Sequence, residues 1–406
     1  MGRFAASAKI HPASTLVKSS SFGETRGSST KVIGHILRMR NGPARADGPR
    51  FAPPGPRSPT FLGAISLAGI TVFLALGVGT PSRTATQSVG QAQHAVPLGA
   101  FLGSGGEGVE AIGHFQRWLD SPVDVGHTYL PGDSWHDIEG APGVLEPWLA
   151  WKRANPGKLL VLNLPMLPRN EGGVEDDEVS ALLEEGAEGA NDQHFRELAT
   201  RLATGGAADA IIVPGWEMNG ATYTSRCAPN PIKWTAYWRR IVTTMRAVPG
   251  AKFRFDFTAT RGLDAIPWPR CYPGDDVVDI IGSDTYDQPE GADFDHFVQE
   301  PYGLGEQARF ATVHNKPMSF PEWGMFRNSD DPDFVRGMHD WISTHPVAYQ
   351  TITDYCPHGV WSCQMNPRAS AEYRRLFGGR GIALTPTAPA SGTTTVLPAS
   401  PAAKGR

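Results

Sequence analysis

The most constraining feature of this sequence is a regular alternation of strand-like and helix-like segments between residues 97 and 377. Short β-branched apolar runs, typical of strands buried on both faces, alternate with longer segments whose apolar residues recur at helical spacing. Eight such repeats predict a single (β/α)8 TIM barrel, which is an α/β fold, over residues 96–379. The predicted strands are 97–102, 123–130, 158–166, 211–217, 252–258, 276–286, 316–322 and 348–355. The predicted helices are 107–119, 144–153, 192–203, 232–248, 294–313, 334–343 and 370–377, and the fifth repeat has a Pro-rich loop in place of a helix.

The two ends of the chain differ from the barrel in composition. Residues 1–58 carry ten Lys and Arg against only two acidic residues and have no apolar periodicity, which predicts a disordered basic segment. Residues 81–95 are predicted to be a linker. Residues 380–406 are rich in Pro, Thr and Ala and are predicted to be a disordered tail.

An uncharged apolar segment, residues 59–80, follows the basic segment. Its length lies between a long signal-peptide h-region and a short spanning helix, for which about 20 residues are expected, so both a cleaved signal and a membrane anchor stay open. A translation start at Met39 would give a more compact basic region before it. In either case positive charge on the N-terminal side predicts export of the barrel, to the extracellular space or the cell envelope.

The cysteine count is consistent with export. The chain has four cysteines, and an even number in an exported protein favours disulfides. Cys227 and Cys271 lie in Pro-rich loops after successive strands, and Cys356 and Cys363 bracket a short loop, so the local pairings 227–271 and 356–363 are predicted. No C-x-x-C or H-x-x-x-H spacing supports the competing interpretation, a metal site.

Two glutamates occupy equivalent positions at the ends of predicted strands. The stretch 211–220, IIVPGWEMNG, passes from an apolar run to Glu217, and 316–324, KPMSFPEWG, passes from a strand-like run to Glu322. TIM-barrel active sites form at the C-terminal ends of the strands, so both carboxyls are predicted to share one site. A retaining glycosidase uses two carboxyls about 5–5.5 Å apart as acid and nucleophile. Either glutamate alone could equally be a solvated loop residue or a helix-start charge.

Three motifs in chain order resemble glycoside hydrolase family 26. They are WEMNG at 216–220, YPGDDVVDIIGSDTY at 272–286 and PEWG at 321–324, and the resemblance covers roughly residues 97–378. This is a β-mannanase-type family in the retaining clan of (β/α)8 glycosidases. The resemblance therefore implies an endo-acting hydrolase of a β-linked polysaccharide, with mannan favoured.

The resemblance also assigns roles to individual residues. It implies that Glu217 is the acid/base, that Glu322 is the nucleophile, and that the Tyr286 hydroxyl hydrogen-bonds the nucleophile. Trp361, after the eighth strand, is implied to be a platform for the sugar. Trp216 stands where the family's mannanases typically have His, which leaves the substrate open between mannan and another glycan, such as β-1,3-xylan, β-glucan or a cell-envelope polysaccharide.

Further side chains are candidates for sugar binding. Tryptophan rings suit the apolar C–H faces of pyranoses, although the chain's eleven tryptophans must also fill contacts between helices and barrel. The polar candidates could equally be turn residues or supports for the catalytic groups. The predicted substrate-binding set is Trp216, Asn219, Trp268, Asp284, Tyr286, Trp323 and Trp361.

The remaining expectations concern partners. A net charge of −4 gives no indication of nucleic-acid binding, and no motif implies a cofactor or a metal. The expected partner is a polysaccharide, with membrane contact through residues 59–80 if that segment is uncleaved, and the chain is expected to be a monomer. The acidic stretch 171–188 is predicted to be a solvated surface loop with one helical turn, with a rim that shapes the substrate groove or holds a cation as the alternative. A catalytically inert barrel that binds polysaccharide is the alternative to an enzyme.

Overall fold

The computed structural model describes residues 95–380 of the 406-residue chain. The predicted basic segment 1–58, the apolar segment 59–80, nearly all of the linker 81–95 and nearly all of the tail 380–406 lie outside the described residues. Between residues 95 and 380, no helix is both long and apolar enough to cross a membrane.

Eight parallel strands form a closed barrel, in which each strand pairs with the next in sequence and the last pairs with the first. The predicted (β/α)8 fold is thus confirmed. The strands are β1 Leu98–Phe101, β2 Val125–Tyr129, β3 Leu159–Leu164, β4 Ile211–Pro214, β5 Arg254–Thr260, β6 Ile280–Tyr286, β7 Met318–Gly324 and β8 Val347–Thr353.

Helices follow the strands and surround the barrel. Residues 95–380 contain α1 Gly106–Leu119, α2 Trp135–Ile138, α3 Pro142–Ala154, α4 Asp176–Glu188, α5 Asp192–Thr204, α6 Pro231–Arg246, α7 Phe294–Gln299, α8 Leu304–Val313, α9 Pro332–Thr344 and α10 Pro367–Phe377. Only a short 3-10 helix, Trp268–Cys271, lies between β5 and β6, which confirms the weak fifth repeat.

The structure differs from the sequence prediction in two helical regions. Most of the acidic stretch 171–188 is the helix α4, whose Val179 and Leu183 are buried, so the predicted loop with a single helical turn was wrong. The predicted helix 294–313 is divided into α7 and α8. Acidic side chains near the start of α4 complement the helix dipole, and its buried stripe packs on the barrel domain.

Alternation along each strand produces two apolar clusters. On β4, Ile211 and Val213 join the smaller cluster inside the barrel, while Ile212 joins the larger cluster between barrel and helices. β3 shows the same alternation: Val161 lies inside the barrel, and its neighbours lie between the barrel and the helices. Because successive side chains of a strand point to opposite faces, the strands are buried on both sides.

Two disulfides fix loops at the C-terminal ends of the strands. Cys227 pairs with Cys271, and Cys356 pairs with Cys363, as the local spacing predicts. The first links the segment after β4 to the segment after β5. The second closes a loop after β8, next to the pocket described below.

Candidate active site

One pocket opens at the C-terminal ends of the strands and contains both predicted catalytic glutamates. Its volume is about 370 Å³, within the range of roughly 300–1,000 Å³ common for small-molecule sites. Every strand except β5 contributes to it, through β6 and β7 residues within the strand and through residues at the end of, or after, the other strands. Its lining residues are Phe101, Leu102, Gly103, Ser104, Glu107, Tyr129, Leu130, Pro131, Gly132, Asp133, Asn170, Glu171, Trp216, Glu217, Tyr223, Tyr286, Glu322, Asp354, Tyr355 and His358.

Glu217 reaches the pocket through an unusual backbone conformation. Its φ is +52°, a left-handed value that a residue with a side chain rarely adopts. The conformation is held by a 3.0 Å hydrogen bond from the Glu217 N–H to the Thr258 carbonyl and by another from Gly220 N–H to the Glu217 carbonyl. Backbone strain of this kind concentrates at functional sites, where the surrounding structure maintains it.

Glu322 is turned into the barrel by an irregularity in β7. The register of β7 against β8 shifts between Phe320 and Trp323, so strict alternation is interrupted just before the strand ends. Phe320 and Trp323 therefore belong to the cluster outside the barrel, while Glu322 lines the pocket. A bulge commonly re-aims a side chain in this way.

The two oxygens of Glu322 have different surroundings. The Tyr286 hydroxyl donates a 2.6 Å hydrogen bond to Oε2 and lies 2.9 Å from the Thr353 hydroxyl. Oε1 has no hydrogen-bond partner among the described residues, although Glu322 is 92% buried, with a relative exposure of 8%. Tyr286 thus holds one oxygen in place, and the other is a buried oxygen without a hydrogen bond from the described residues.

The electrostatics distinguish the two carboxyls. Burial and, after it, the negative charge of Glu322 raise the pKa of Glu217 to about 8. Burial also raises the pKa of Glu322, but the neighbouring hydroxyls of Tyr129 and Tyr286 lower it. The negative charge of an ionised Glu322 opposes ionisation of Glu217. Glu322 therefore loses its proton first, and Glu217 keeps its proton.

Of the predicted substrate-binding residues, Trp216 and Tyr286 line this pocket, whereas Asn219 and Asp284 are buried and are not part of its lining. Trp216 is part of its wall, with its ring 4.9 Å from that of Tyr223, and Tyr286 contacts Glu322 as described. Asn219 is buried and exchanges two hydrogen bonds with the backbone of Thr260, which ties the segment after β4 to the end of β5. Asp284 is buried with neither side-chain oxygen hydrogen-bonded among the described residues, and burial, followed by the charges of Glu322 and Glu217, raises its pKa.

Three predicted sugar-binding tryptophans lie outside the pocket. Trp323 is fully buried between barrel and helices and donates a 2.7 Å hydrogen bond to Gln350. Trp268 is buried and donates to the Tyr302 carbonyl, and Trp361 packs edge-on against Phe115 of α1. Their rings fill contacts between helices and barrel, the alternative that the sequence left open.

Other aromatic side chains supply the wall of the pocket instead. Phe101 and Tyr355 contribute from the ends of β1 and β8, and Tyr129 ends β2 with its ring 4.6 Å from Phe101 and 5.5 Å from Trp216. Sequence analysis missed Tyr129. Its position as the last residue of a strand, the same position that marked the glutamates, was the available signal.

The described residues contain no group of three or more His, Cys, Asp or Glu side chains arranged to hold a metal ion. His358, the only histidine among the described residues of the pocket wall, donates through Nδ1–H to the Met325 carbonyl, and burial lowers its pKa to about 4. The groups that line this pocket include paired carboxyls, tyrosine hydroxyls and aromatic surfaces.

Comparison with solved structures finds the same fold in carbohydrate-active proteins. The catalytic domain of a glycoside hydrolase family 26 endo-β-1,4-mannanase from Bacillus sp. JAMB-750 has a TM-score of 0.52 at 17% identity, over 70% of this chain and 85% of its own. A Bacillus subtilis mannanase has a TM-score of 0.51 at 16% identity, over 68% and 83%. The protein GH26C from Muricauda sp. MAR_2010_75 has a TM-score of 0.51 at 14% identity, over 70% and 85%.

No protein-family model matches the sequence, and no curated protein matches it by sequence. At such low identity the structural likeness shows a shared fold and leaves the activity to be argued from the site.

Proposed function

We propose that this protein is a retaining endo-β-glycosidase that hydrolyses a β-linked polysaccharide, with Glu322 as nucleophile and Glu217 as acid/base. The observation that carries the proposal is the pairing of these carboxyls in one pocket, with an unpaired Glu322 oxygen and a Glu217 pKa raised to about 8. An acid that keeps its proton near neutral pH beside a carboxylate that loses it is the division of roles that double displacement needs.

In the first step, Glu217 donates its proton to the glycosidic oxygen while Oε1 of Glu322 attacks the anomeric carbon. The bond to the leaving sugar breaks and a glycosyl-enzyme forms. In the second step, the Glu217 carboxylate takes a proton from water, and the water oxygen attacks the anomeric carbon and releases Glu322. Tyr286, bound to Oε2, keeps the nucleophile oriented throughout.

The walls of the pocket suit a sugar ring. Trp216, Tyr129 and Tyr355 present aromatic surface, and a pyranose offers apolar C–H faces to such rings. Mannan is the favoured polysaccharide because two of the fold relatives are named mannanases. The alternative substrate is another glycan, cleaved by the same chemistry. Trp216 favours this alternative, because an indole in place of the usual His changes the surface beside the cleaved bond.

The test is product release from soluble mannan, galactomannan, mixed-linkage glucan, β-1,3-xylan and envelope glycans. We expect oligosaccharides from one substrate with wild-type protein, none with Glu322→Ala, and wild-type behaviour from Glu290→Ala, which removes an exposed carboxylate outside the pocket. Proton NMR should detect the β-anomer as the first product. Wild-type turnover by Glu322→Ala would disprove the assignment, and binding without product release would favour an inert carbohydrate-binding barrel.

The acid/base is tested separately with aryl glycosides. A good leaving group needs no protonation, so Glu217→Ala should retain formation of the glycosyl-enzyme and lose its hydrolysis. Added azide should restore turnover, because a small anionic nucleophile needs no general base. No response to azide would contradict the role of Glu217.

A further inference from the structure

One strand of the barrel, β5, contributes none of the described residues that line the pocket. It nevertheless lies between β4, which leads to Glu217, and β6, which carries Tyr286. The Thr258 carbonyl accepts the hydrogen bond from the Glu217 N–H, and Thr260 exchanges two hydrogen bonds with the Asn219 side chain. The C-terminal end of β5 is therefore bonded to the segment of the proposed acid/base without lining the pocket itself.

Arg261 follows β5 directly and bonds to the end of β6. Its backbone N–H donates a 3.0 Å hydrogen bond to the Asp284 carbonyl. Its guanidinium Nη2 donates to the Tyr286 carbonyl at 3.0 Å and also to the Gln288 carbonyl. Arg261 thus satisfies the carbonyls of three alternate residues at and just beyond the end of β6, and Tyr286 is the middle one.

The Arg261 side chain is itself held in one position. It is only 4% exposed, its Nη1 pairs with Glu300, and its Cζ lies 4.1 Å from the centroid of the Phe297 ring. Gly262, with a φ of +91°, turns the chain directly after Arg261, and a Cβ there would lie 3.2 Å from the Glu300 carboxylate. Burial lowers the pKa of Arg261 to about 10, so the guanidinium stays charged and paired near neutral pH.

The Tyr286 side chain leads from this backbone to the proposed nucleophile. Its hydroxyl donates a 2.6 Å hydrogen bond to Oε2 of Glu322 and lies 2.9 Å from the Thr353 hydroxyl. A hydrogen bond weakens as its distance and angle depart from the optimum, so a displacement of the Tyr286 backbone weakens the contact with Glu322. Arg261 does not line the pocket, and Tyr286 is its route to the site.

We propose that Arg261 is a positioning residue of the active site, whose guanidinium fixes the backbone of Tyr286 so that the Tyr286 hydroxyl stays on Oε2 of Glu322. Together with the hydrogen bonds between Asn219 and Thr260, the end of β5 then connects the segments of both catalytic carboxyls. Lysine cannot replace this arginine, because an ammonium group lacks the planar fork that reaches two carbonyls and a carboxylate at once. The inference deepens the proposed function and rests on it for the roles of Glu217 and Glu322.

The first test measures the pKa of the Glu322 carboxyl in the full-length protein, by carbon NMR with isotope-labelled glutamate. The Glu322 resonance is the one missing from Glu322→Gln. In Arg261→Lys we expect this pKa to rise by about 0.5–1 unit, part of the one to two units given by loss of a whole hydrogen bond to a charged group. Arg261→Lys keeps the positive charge, so the shift reports position. It also keeps the ionisable side chains around Glu322, which are Tyr129, Glu217, Tyr223, Asp284, Tyr286 and Tyr355.

The second test measures kcat and KM with the polysaccharide that the product-release test finds to be cleaved. Arg261→Lys should lower kcat about tenfold and change KM by less than about twofold, because misplacement of the nucleophile mainly affects the transition state. In a Tyr286→Phe background, Arg261→Lys should change neither the pKa of Glu322 nor kcat further. The hydroxyl through which Arg261 acts is absent there, so the two effects should not add.

Arg246→Lys is the matched control. Arg246 also donates to two backbone carbonyls, those of Asp276 and Val277, and also pairs with a carboxylate, that of Asp279. Its Cζ likewise lies near an aromatic ring, 5.1 Å from the centroid of Phe255. None of these residues lines the pocket, so Arg246→Lys should leave the pKa of Glu322 and kcat at their wild-type values.

A second variant separates positioning from a defect in folding. Arg261→Gln in a Glu300→Gln background removes the guanidinium without leaving a buried charge unpaired. It should show the same rise in the pKa of Glu322, relative to Glu300→Gln alone. Near-UV circular dichroism establishes that each variant is folded.

An unchanged pKa of Glu322 in a folded Arg261 variant would overturn the inference. A shift that adds in full to that of Tyr286→Phe, or an equal shift in Arg246→Lys, would overturn it too. If neither Arg261 variant folds, the role of Arg261 is stability and the inference is wrong. If the wild-type protein cleaves no glycan, the proposed function fails, while the NMR titration still decides whether Arg261 positions Tyr286.

Discussion

Removal of the Tyr286 hydroxyl gives the most direct test of how Glu322 is kept ionised. In Tyr286→Phe, the 2.6 Å hydrogen bond to Oε2 of Glu322 is lost. A hydrogen bond to a charged group contributes about 1.5–3 kcal/mol. At 1.36 kcal/mol per pKa unit, its loss should raise the pKa of Glu322 by about one to two units.

The sign of the effect on activity follows from the roles of the two carboxyls. Catalysis needs Glu322 ionised, so the acid limb of the kcat/KM profile should move to higher pH by about one to two units in Tyr286→Phe. Glu217 must be protonated, and its pKa of about 8 sets the alkaline limb, which should stay in place. The profile therefore narrows from the acid side.

The assay measures kcat/KM from about pH 4 to 10 for both proteins, with the polysaccharide that the product-release test finds to be cleaved. Tyr272→Phe is the matched control, because it also removes a hydroxyl that donates to a carboxylate, Asp275, but outside the pocket. An unchanged acid limb in Tyr286→Phe would refute the reasoning. An equal shift in Tyr272→Phe would refute it as well.

Three further predictions concern stability and positioning. Glu217→Gln should raise the free energy of unfolding by about 5 kcal/mol above pH 8 and hardly at all near pH 4, because the raised folded-state pKa of Glu217 destabilises the wild type as pH rises from about 4.5 to 8. Equal thermal shifts at both pH values would contradict this. Replacing Cys227 and Cys271 together by Ser should lower the free energy of unfolding by about 4 kcal/mol in denaturant titrations, because the disulfide closes a loop with a sequence separation of 44 residues. A change below about 1 kcal/mol would contradict this. Asn219→Ala removes both hydrogen bonds to Thr260 and should lower kcat about tenfold with little change in KM; a change in KM alone would argue against a positioning role.

The fold was predictable because the strand and helix periods repeat with little interruption. The observed strand β4, Ile211–Pro214, lies inside the predicted 211–217, and the closed order of eight strands is the one the repeats predict. The helix α4 was missed because its thirteen residues include six acidic ones, and its narrow stripe of buried apolar residues is stabilised by packing. The helix propensity of the local sequence does not include this stabilisation by packing.

The site was predicted in part. Glu217, Glu322, Tyr286 and Trp216 come together in the pocket. The strand-end pattern predicted the two glutamates, and the resemblance to family motifs indicated Tyr286 and Trp216. The sequence did not predict which face of β7 carries the Trp323 side chain, because the register shift in β7 determines that face.

The sequence by itself determined the barrel, the disulfide pairs and the two strand ends that carry glutamates, because these depend on periodicity and on short spacings along the chain. Tertiary structure decided which tryptophans line the pocket and which tyrosines lie beside Glu322. Those contacts join residues distant in sequence, such as Tyr129 and Glu322. They depend on how the barrel closes, and on the desolvation and charge that closure creates around each carboxyl.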